Sequence, residues 1–264
     1  MSKITIKTIL EKKKKKEKIT ALTAYDYSFA TILDEAGVDI VLVGDSLGMV
    51  VLGYSTTLPV SMEDMIRHTR AVSKGVSTSL IVADMPFLSF QTGEEKGIEN
   101  AGRLLQNGAE AVKLEGGSSV EPLVRKLVNF GIPVMGHLGL TPQAIHAFGG
   151  YKIQGKSEEA AKLLLKEAKL LESAGCFSIV LECVPKNLAE EITENLQIPT
   201  IGIGAGEKCD GQILVLYDCL GLTPDFNPKF AKKFADLREL SLKGVRQYIQ
   251  EVKSGEFPDE AHSF

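Results

Sequence analysis

The chain has no run of about 20 apolar residues, the length a helix needs to cross a bilayer, so a membrane span is not expected. Its N-terminus lacks an apolar core followed by a cleavage site, and a secretory signal is not expected either. There are only four cysteines, Cys176, Cys183, Cys209 and Cys219. None forms a C-x-x-C pair, which removes the usual support for zinc or dithiol chemistry and fits a reducing cytoplasm. No internal repeat and no Pro- or Ser-rich break interrupts the 264 residues, which predicts one domain over 1–264. A net charge of −4 gives no general affinity for nucleic acid or anionic membrane. The local exception is EKKKKKEK, Glu11–Lys18. In an acidic chain this run reads as the solvated end of an extra N-terminal helix that begins in TIKTIL.

What the chain does have is ordinary globular usage, 44% hydrophobic and 24% charged, arranged with a strong pattern. Eight short Val/Ile-rich segments recur: 19–25, 39–45, 79–85, 111–117, 133–139, 178–184, 199–206 and 213–218. Several are continuously apolar, as strands buried on both faces of a parallel sheet are. Helix-like stretches lie between them. SMEDMIRHTRAVSKG opens with Ser61 and Asp64 at capping-box spacing and stops at Gly75. SEEAAKLLLKEAKLLESAG puts Leu163, Leu164, Leu170 and Leu171 on one side. Alternating strand and helix with eight strands predicts an α/β fold, a (β/α)8 TIM barrel, with an open doubly wound sheet as the rival. The gap before the last strand is short, so the helix there is expected to be stunted or missing.

In such a barrel the C-terminal strand ends form one rim, where active sites sit. The second strand ends at Asp45, followed by Ser46, and the third at Asp84; the fourth carries Lys113 and Glu115, the fifth reaches His137, and the sixth ends at Glu182. Asp45, Asp84 and Glu115 offer hard carboxylate oxygens of the kind that hold Mg2+. A metal so held can chelate a 2-oxo acid and stabilise its enolate. Glu182 is the candidate base, and Lys113 and His137 can bind the substrate carboxylate or an oxyanion. Each position has a plainer reading. An Asp after a strand can be a helix N-cap, Lys113 can pair with Glu115, His137 can be a core histidine, and Glu182 can pair with a surface lysine. GIGAG (202–206) is either an anion cradle or a close-packed turn. TPQAIHAFGGYKIQGKS is longer than a tight βα turn needs, as lids are; its His146, like His68, reads as structural or surface. A Schiff-base aldolase using Lys113, a lyase with a catalytic cysteine and a non-catalytic oxo-acid-binding barrel remain open.

The fragments TAYDYSFA, VGDSLGMVVLGYSTTLPVSMEDMIRHTRAV, VADMPF, AVKLEGG, PVMGHLGLTPQ, GGYKIQGK, LECVP, IGIGAG and CDGQILVLYDCLG together resemble the ketopantoate hydroxymethyltransferases. The resemblance runs from about residue 3 to the tail FPDEAHSF. It implies a barrel of the phosphoenolpyruvate/pyruvate type and transfer of a one-carbon unit from 5,10-methylenetetrahydrofolate to 3-methyl-2-oxobutanoate. The product would be ketopantoate, for pantothenate and coenzyme A synthesis. It implies one Mg2+ per subunit on Asp45, Asp84 and Glu115. Asp45, Ser46, Asp84 and Lys113 would contact the oxo acid, with His137 nearby and Glu182 as proton acceptor. It also implies a cytoplasmic homo-oligomer, often a decamer.

Overall fold

The computed structural model describes residues 2–224 and 228–264. The chain forms two compact units, Met1–Leu214 and Val215–Phe264. All eight strands lie in the first and close into a parallel barrel in sequential order: β1 Ile19–Thr23, β2 Ile40–Val43, β3 Leu80–Asp84, β4 Ala111–Glu115, β5 Val134–Gly139, β6 Ser178–Glu182, β7 Thr200–Ile203 and β8 Gly211–Leu214. Seven fall inside the segments expected for them; β8 begins two residues ahead of its expected segment and shares only Ile213 and Leu214 with it. The barrel is therefore closed, and the open sheet is set aside.

The helices of this unit are α1 Ile6–Lys15, α2 Tyr27–Ala36, α3 Leu47–Val50, α4 Met62–Ser73, α5 Glu94–Gln106, α6 Glu121–Asn129, α7 Ile145–Phe148, α8 Glu158–Ala174 and α9 Lys186–Asn195. No helix separates β7 from β8, as the short gap predicted. α4 starts on the expected capping box, Ser61 and Asp64 each accepting from the other's backbone N–H. α8 turns a different stripe inward from the one expected. Leu164, Ala168, Leu171 and Ala174 are buried at i, i+4, i+7 and i+10, while Leu163 is 54% exposed.

Period-two alternation fills the barrel. Ile40 and Leu42, Leu80 and Val82, Ala111, Met135, Val180, Ile201 and Ile213 form one buried cluster. The N-terminal helix closes it from below: Ile9 of α1 is fully buried in the same cluster. That burial stabilises by about 1.5–3 kcal/mol. The lysine run is not simply a solvated end. Lys12 reaches Asp39 at 2.5 Å and Lys13 reaches Asp210 at 2.8 Å, with those lysine side chains only 21% and 14% exposed. The two acids just precede β2 and β8 and accept the backbone N–H of Thr20 and Thr200, at 2.9 Å each. The lysines thus tie α1 to the start of the barrel, while Lys14 and Lys15 complement the helix dipole in its last turn.

The second unit holds α10 Leu216–Cys219 and α11 Leu237–Ser254. α11 buries no residue, yet carries Leu240, Val245, Tyr248, Ile249 and Val252, each at least 44% exposed, at helical spacing. Among the described residues no helix is long and apolar enough to cross a membrane.

Candidate active site

The inward file that is apolar low in the barrel becomes ionisable toward the C-terminal rim. Leu80 and Val82 are followed by Asp84, Ala111 by Lys113 and Glu115, Met135 by His137, and Val180 by Glu182. Side chains two apart share a face, so these four strands deliver five charged groups into one space. Register sets them level: Asp84 pairs Lys113 and Glu115 pairs His137. Asp45 joins from the turn after β2, where its backbone N–H donates to Asp84 Oδ2 at 3.0 Å.

Lys113 is the hub. Its Nζ lies 3.0 Å from Asp84 Oδ1, 3.1 Å from His137 Nδ1 and 3.9 Å from Glu115 Oε1. His137 continues outward, with Nε2 3.2 Å from Glu182 Oε2, short of hydrogen-bond alignment. Asp45, Asp84, Lys113, Glu115 and His137 are all buried, and Glu182 is the most open of the set at 14% side-chain exposure. Ser46 presents its hydroxyl 2.8 Å from the Tyr25 hydroxyl. The structure thus gathers six of the seven candidates into one linked cluster and sets Ser46 beside Asp45.

Three buried carboxylates share one ammonium, and the titration behaviour follows. Burial, then the charges of Asp84 and Glu115, push Asp45 well above the usual carboxylate range. Burial raises Asp84 as well, against the pull of Lys113 and the Asp45 N–H. For Glu115 burial is outweighed by His137, Lys113 and the Gln143 N–H, and its carboxyl stays low. Burial would discharge Lys113, but Asp84, Glu115 and Asp45 hold it protonated. Burial and Lys113 favour neutral His137; the carboxylates of Glu115 and Glu182 override them and raise it to about 9. With the ammonium against Nδ1, the neutral ring keeps its lone pair there and its proton on Nε2, toward Glu182. The charged ring sets two cations side by side, held only by the acids around them.

Three participants were not foreseen. Gln143, in the short 3-10 turn Pro142–Ala144 after β5, donates from Nε2 to Asp45 Oδ2 at 3.0 Å, and its backbone N–H donates to Glu115 Oε2 at 3.0 Å. Cys183, directly after Glu182, has φ of 50°, rare for a residue other than glycine. The neighbouring backbone pins it: its N–H donates to Ile203 and its carbonyl accepts from Gln154, both at 2.9 Å. Tyr151 reaches over from the loop after β5, its hydroxyl 3.6 Å from Met49 Sδ. The GIGAG segment has the geometry of a packed turn. A Cβ at Gly202 would meet Cys209 Sγ at 3.0 Å, and Gly206 sits at φ of 86° against Lys186.

A closed eight-stranded α/β barrel with buried acids, an ammonium and an imidazole at its C-terminal rim is the architecture of a barrel enzyme. The comparisons with solved structures agree on the fold. Phosphonopyruvate hydrolase, in a structure with oxalate and Mg++, superposes with a TM-score of 0.63 at 12% identity, covering 99% of this chain and 93% of that one. 2,3-Dimethylmalate lyase, described as a PEP mutase/isocitrate lyase superfamily member, gives 0.60 at 13% identity, covering 100% and 92%. Sequence comparison goes further. The ketopantoate hydroxymethyltransferase family model matches residues 3–260. The 3-methyl-2-oxobutanoate hydroxymethyltransferase of Syntrophus aciditrophicus is 58% identical, covering 99% of this chain and 97% of that one. Its namesake in Caldicellulosiruptor bescii is 55% identical, with both chains covered completely. The chain belongs to the ketopantoate hydroxymethyltransferase family and is an enzyme of the hydroxymethyltransferase class.

Proposed function

We propose that this enzyme transfers a hydroxymethyl group from 5,10-methylenetetrahydrofolate to 3-methyl-2-oxobutanoate, giving ketopantoate for pantothenate synthesis. The observation that carries the reading is the rim cluster: Asp45, Asp84 and Glu115, all buried, share the single ammonium of Lys113. That excess of buried negative charge, on hard oxygen donors, fits one Mg2+. Among the described residues no three of His, Cys, Asp and Glu stand close enough to hold one ion, so the fit is of charge and donor type. Asp45, Asp84 and Glu115 would be the ligands, and the ion would supply Lewis-acid polarisation of the keto oxygen.

The remaining roles belong to the chain. Lys113, kept charged by its acids, faces the oxo-acid carboxylate together with the Ser46 hydroxyl. The acids around Lys113 favour its charged form, the wrong one for a Schiff-base nucleophile, which favours this reading over the aldolase. The thiols fare no better as nucleophiles: burial raises Cys176 to about 12, and burial with the Glu182 charge raises Cys183 to about 11. Glu182, the most accessible acid, takes the proton from C3 of the oxo acid, and His137 beside it steadies the carboxylate. Water releases the methylene group from the folate as formaldehyde, leaving tetrahydrofolate; the enolate carbon bonds to it, and the new alkoxide takes up the proton held by Glu182. The four free cysteines fit a cytoplasmic site of action. The uncovered apolar face of α11 fits a homo-oligomer of the decameric kind.

The test is isotope exchange. Glu182→Gln should still bind 3-methyl-2-oxobutanoate and Mg2+ but lose exchange of the C3 hydrogen with D2O, read by proton NMR. Exchange at the wild-type rate would remove Glu182 as the base.

A further inference from the structure

Gln143 lies outside the charged set, yet it touches two of its acids. Its side chain is fixed without ambiguity. Nε2 faces two acceptors, Asp45 Oδ2 at 3.0 Å and the Met85 carbonyl at 2.9 Å, so the NH2 must point that way. Oε1 accepts from Gln91 Nε2 at 3.4 Å. The residue is buried, and both amide hydrogens are committed. Its backbone N–H meanwhile holds Glu115 Oε2 at 3.0 Å. One residue therefore fixes one oxygen of each of two acids, one in the turn after β2 and one on β4, and leaves Glu115 Oε1 for Lys113 and His137. The neutral donor matters here. In a space already overfull of negative charge, an amide orients a carboxylate without neutralising it.

We infer that Gln143 is a positioning residue for the reaction, acting through Asp45: it sets the rotation of that carboxylate against whatever the rim binds. The inference rests on the reading that Asp45 faces the reacting groups. Gln143→Met keeps the bulk and the backbone N–H to Glu115 and removes the side-chain bonds to Asp45, the Met85 carbonyl and Gln91, of which the double-mutant cycle isolates the first. Positioning partners of this kind carry about 10- to 100-fold in affinity or activity.

The experiment is a double-mutant cycle on ketopantoate formation, with Mg2+ binding to the resting enzyme followed by calorimetry. Gln143→Met should lower kcat about 30-fold and weaken Mg2+ about tenfold. In the Asp45→Asn background the same change should cost less than about threefold, because the carboxylate it orients is gone. Gln143→Asn, whose amide is one methylene too short to span Asp45 and Met85, should give the same pattern if the Met variant does not fold. Full multiplication of the two effects overturns the positioning role, as does wild-type kcat and Mg2+ affinity in Gln143→Met. Wild-type kcat in Asp45→Asn alone overturns the reading of Asp45 itself, and the inference with it.

Discussion

The two ends of the barrel are built from the same residue types to opposite effect. At the N-terminal end three acids each have their own cation and a strand N–H to hold. Asp39 has Lys12 and Thr20, Asp210 has Lys13 and Thr200, and Glu110 has Lys3 at 2.6 Å and the Ile81 N–H at 3.0 Å. Charge is balanced locally at each of the three. At the C-terminal end Asp45, Asp84 and Glu115 crowd one lysine. Burial there raises two of the three acids instead of settling them. A satisfied ion pair holds a fold together. An unbalanced buried cluster costs stability and is kept because a substrate or cation completes it. Strand ends alone do not make an active site; the local surplus of charge does.

The largest effect that could break this contrast comes from Asp84→Asn. Losing one of three crowded acids should cut kcat by about 1,000-fold, about 4 kcal/mol of transition-state stabilisation. Urea unfolding should show no loss of stability, because Lys113 keeps Glu115 and Asp45 and the surplus shrinks. A stability loss of several kcal/mol would mean that the rim is as structural as the base. The converse substitution is Ile9→Ala in α1, which empties a fully buried position at the base. It should cost about 2–5 kcal/mol in unfolding free energy and leave kcat of the folded protein unchanged. A change in kcat would couple the two ends.

The eight strands were legible because strands buried on both faces need near-continuous apolarity, and the rim acids because they interrupt it at the same height. The charged set was readable from spacing of two along Lys113 and Glu115 and along Val180 and Glu182. Gln143 left no such mark: a neutral amide in a loop has neither charge nor period, and only the excess length of that loop pointed to it. The strained φ of Cys183 is a product of the backbone bonds around it and has no local sequence cause. Lys12 and Lys13 read as solvated because the acids that hold them, Asp39 and Asp210, stand far from them in the chain. Leu163 falls outside the inward stripe of α8, which runs through Leu164, Ala168, Leu171 and Ala174. The stripe at 240, 245, 248, 249 and 252 carried a helical period in plain view.

The smallest effect sharpens the contrast by pH. Asp34 in the last turn of α2 clamps the turn into β3: its Oδ1 accepts the backbone N–H of Thr78 at 2.9 Å and Ser79 at 2.8 Å, and Oδ2 that of Ser77 at 2.9 Å. Burial pushes this acid upward, but the bonds from Ser79, Ser77 and Thr78 outweigh it and hold the group far below the ordinary carboxylate range of 3.8. A folded-state pKa below the unfolded value gives stability that is present above the unfolded pKa and lost as pH falls toward the folded one. Asp34→Asn should therefore cost about 1–3 kcal/mol at pH 7. Wild type and variant should draw together as pH drops below about 4, where the unfolded chain takes up the proton first. Thermal unfolding from pH 7 to pH 3 reads this directly. A gap that stays constant across that range would show that shape, not charge, makes the clamp, and that the base of the barrel does not owe its order to satisfied carboxylates.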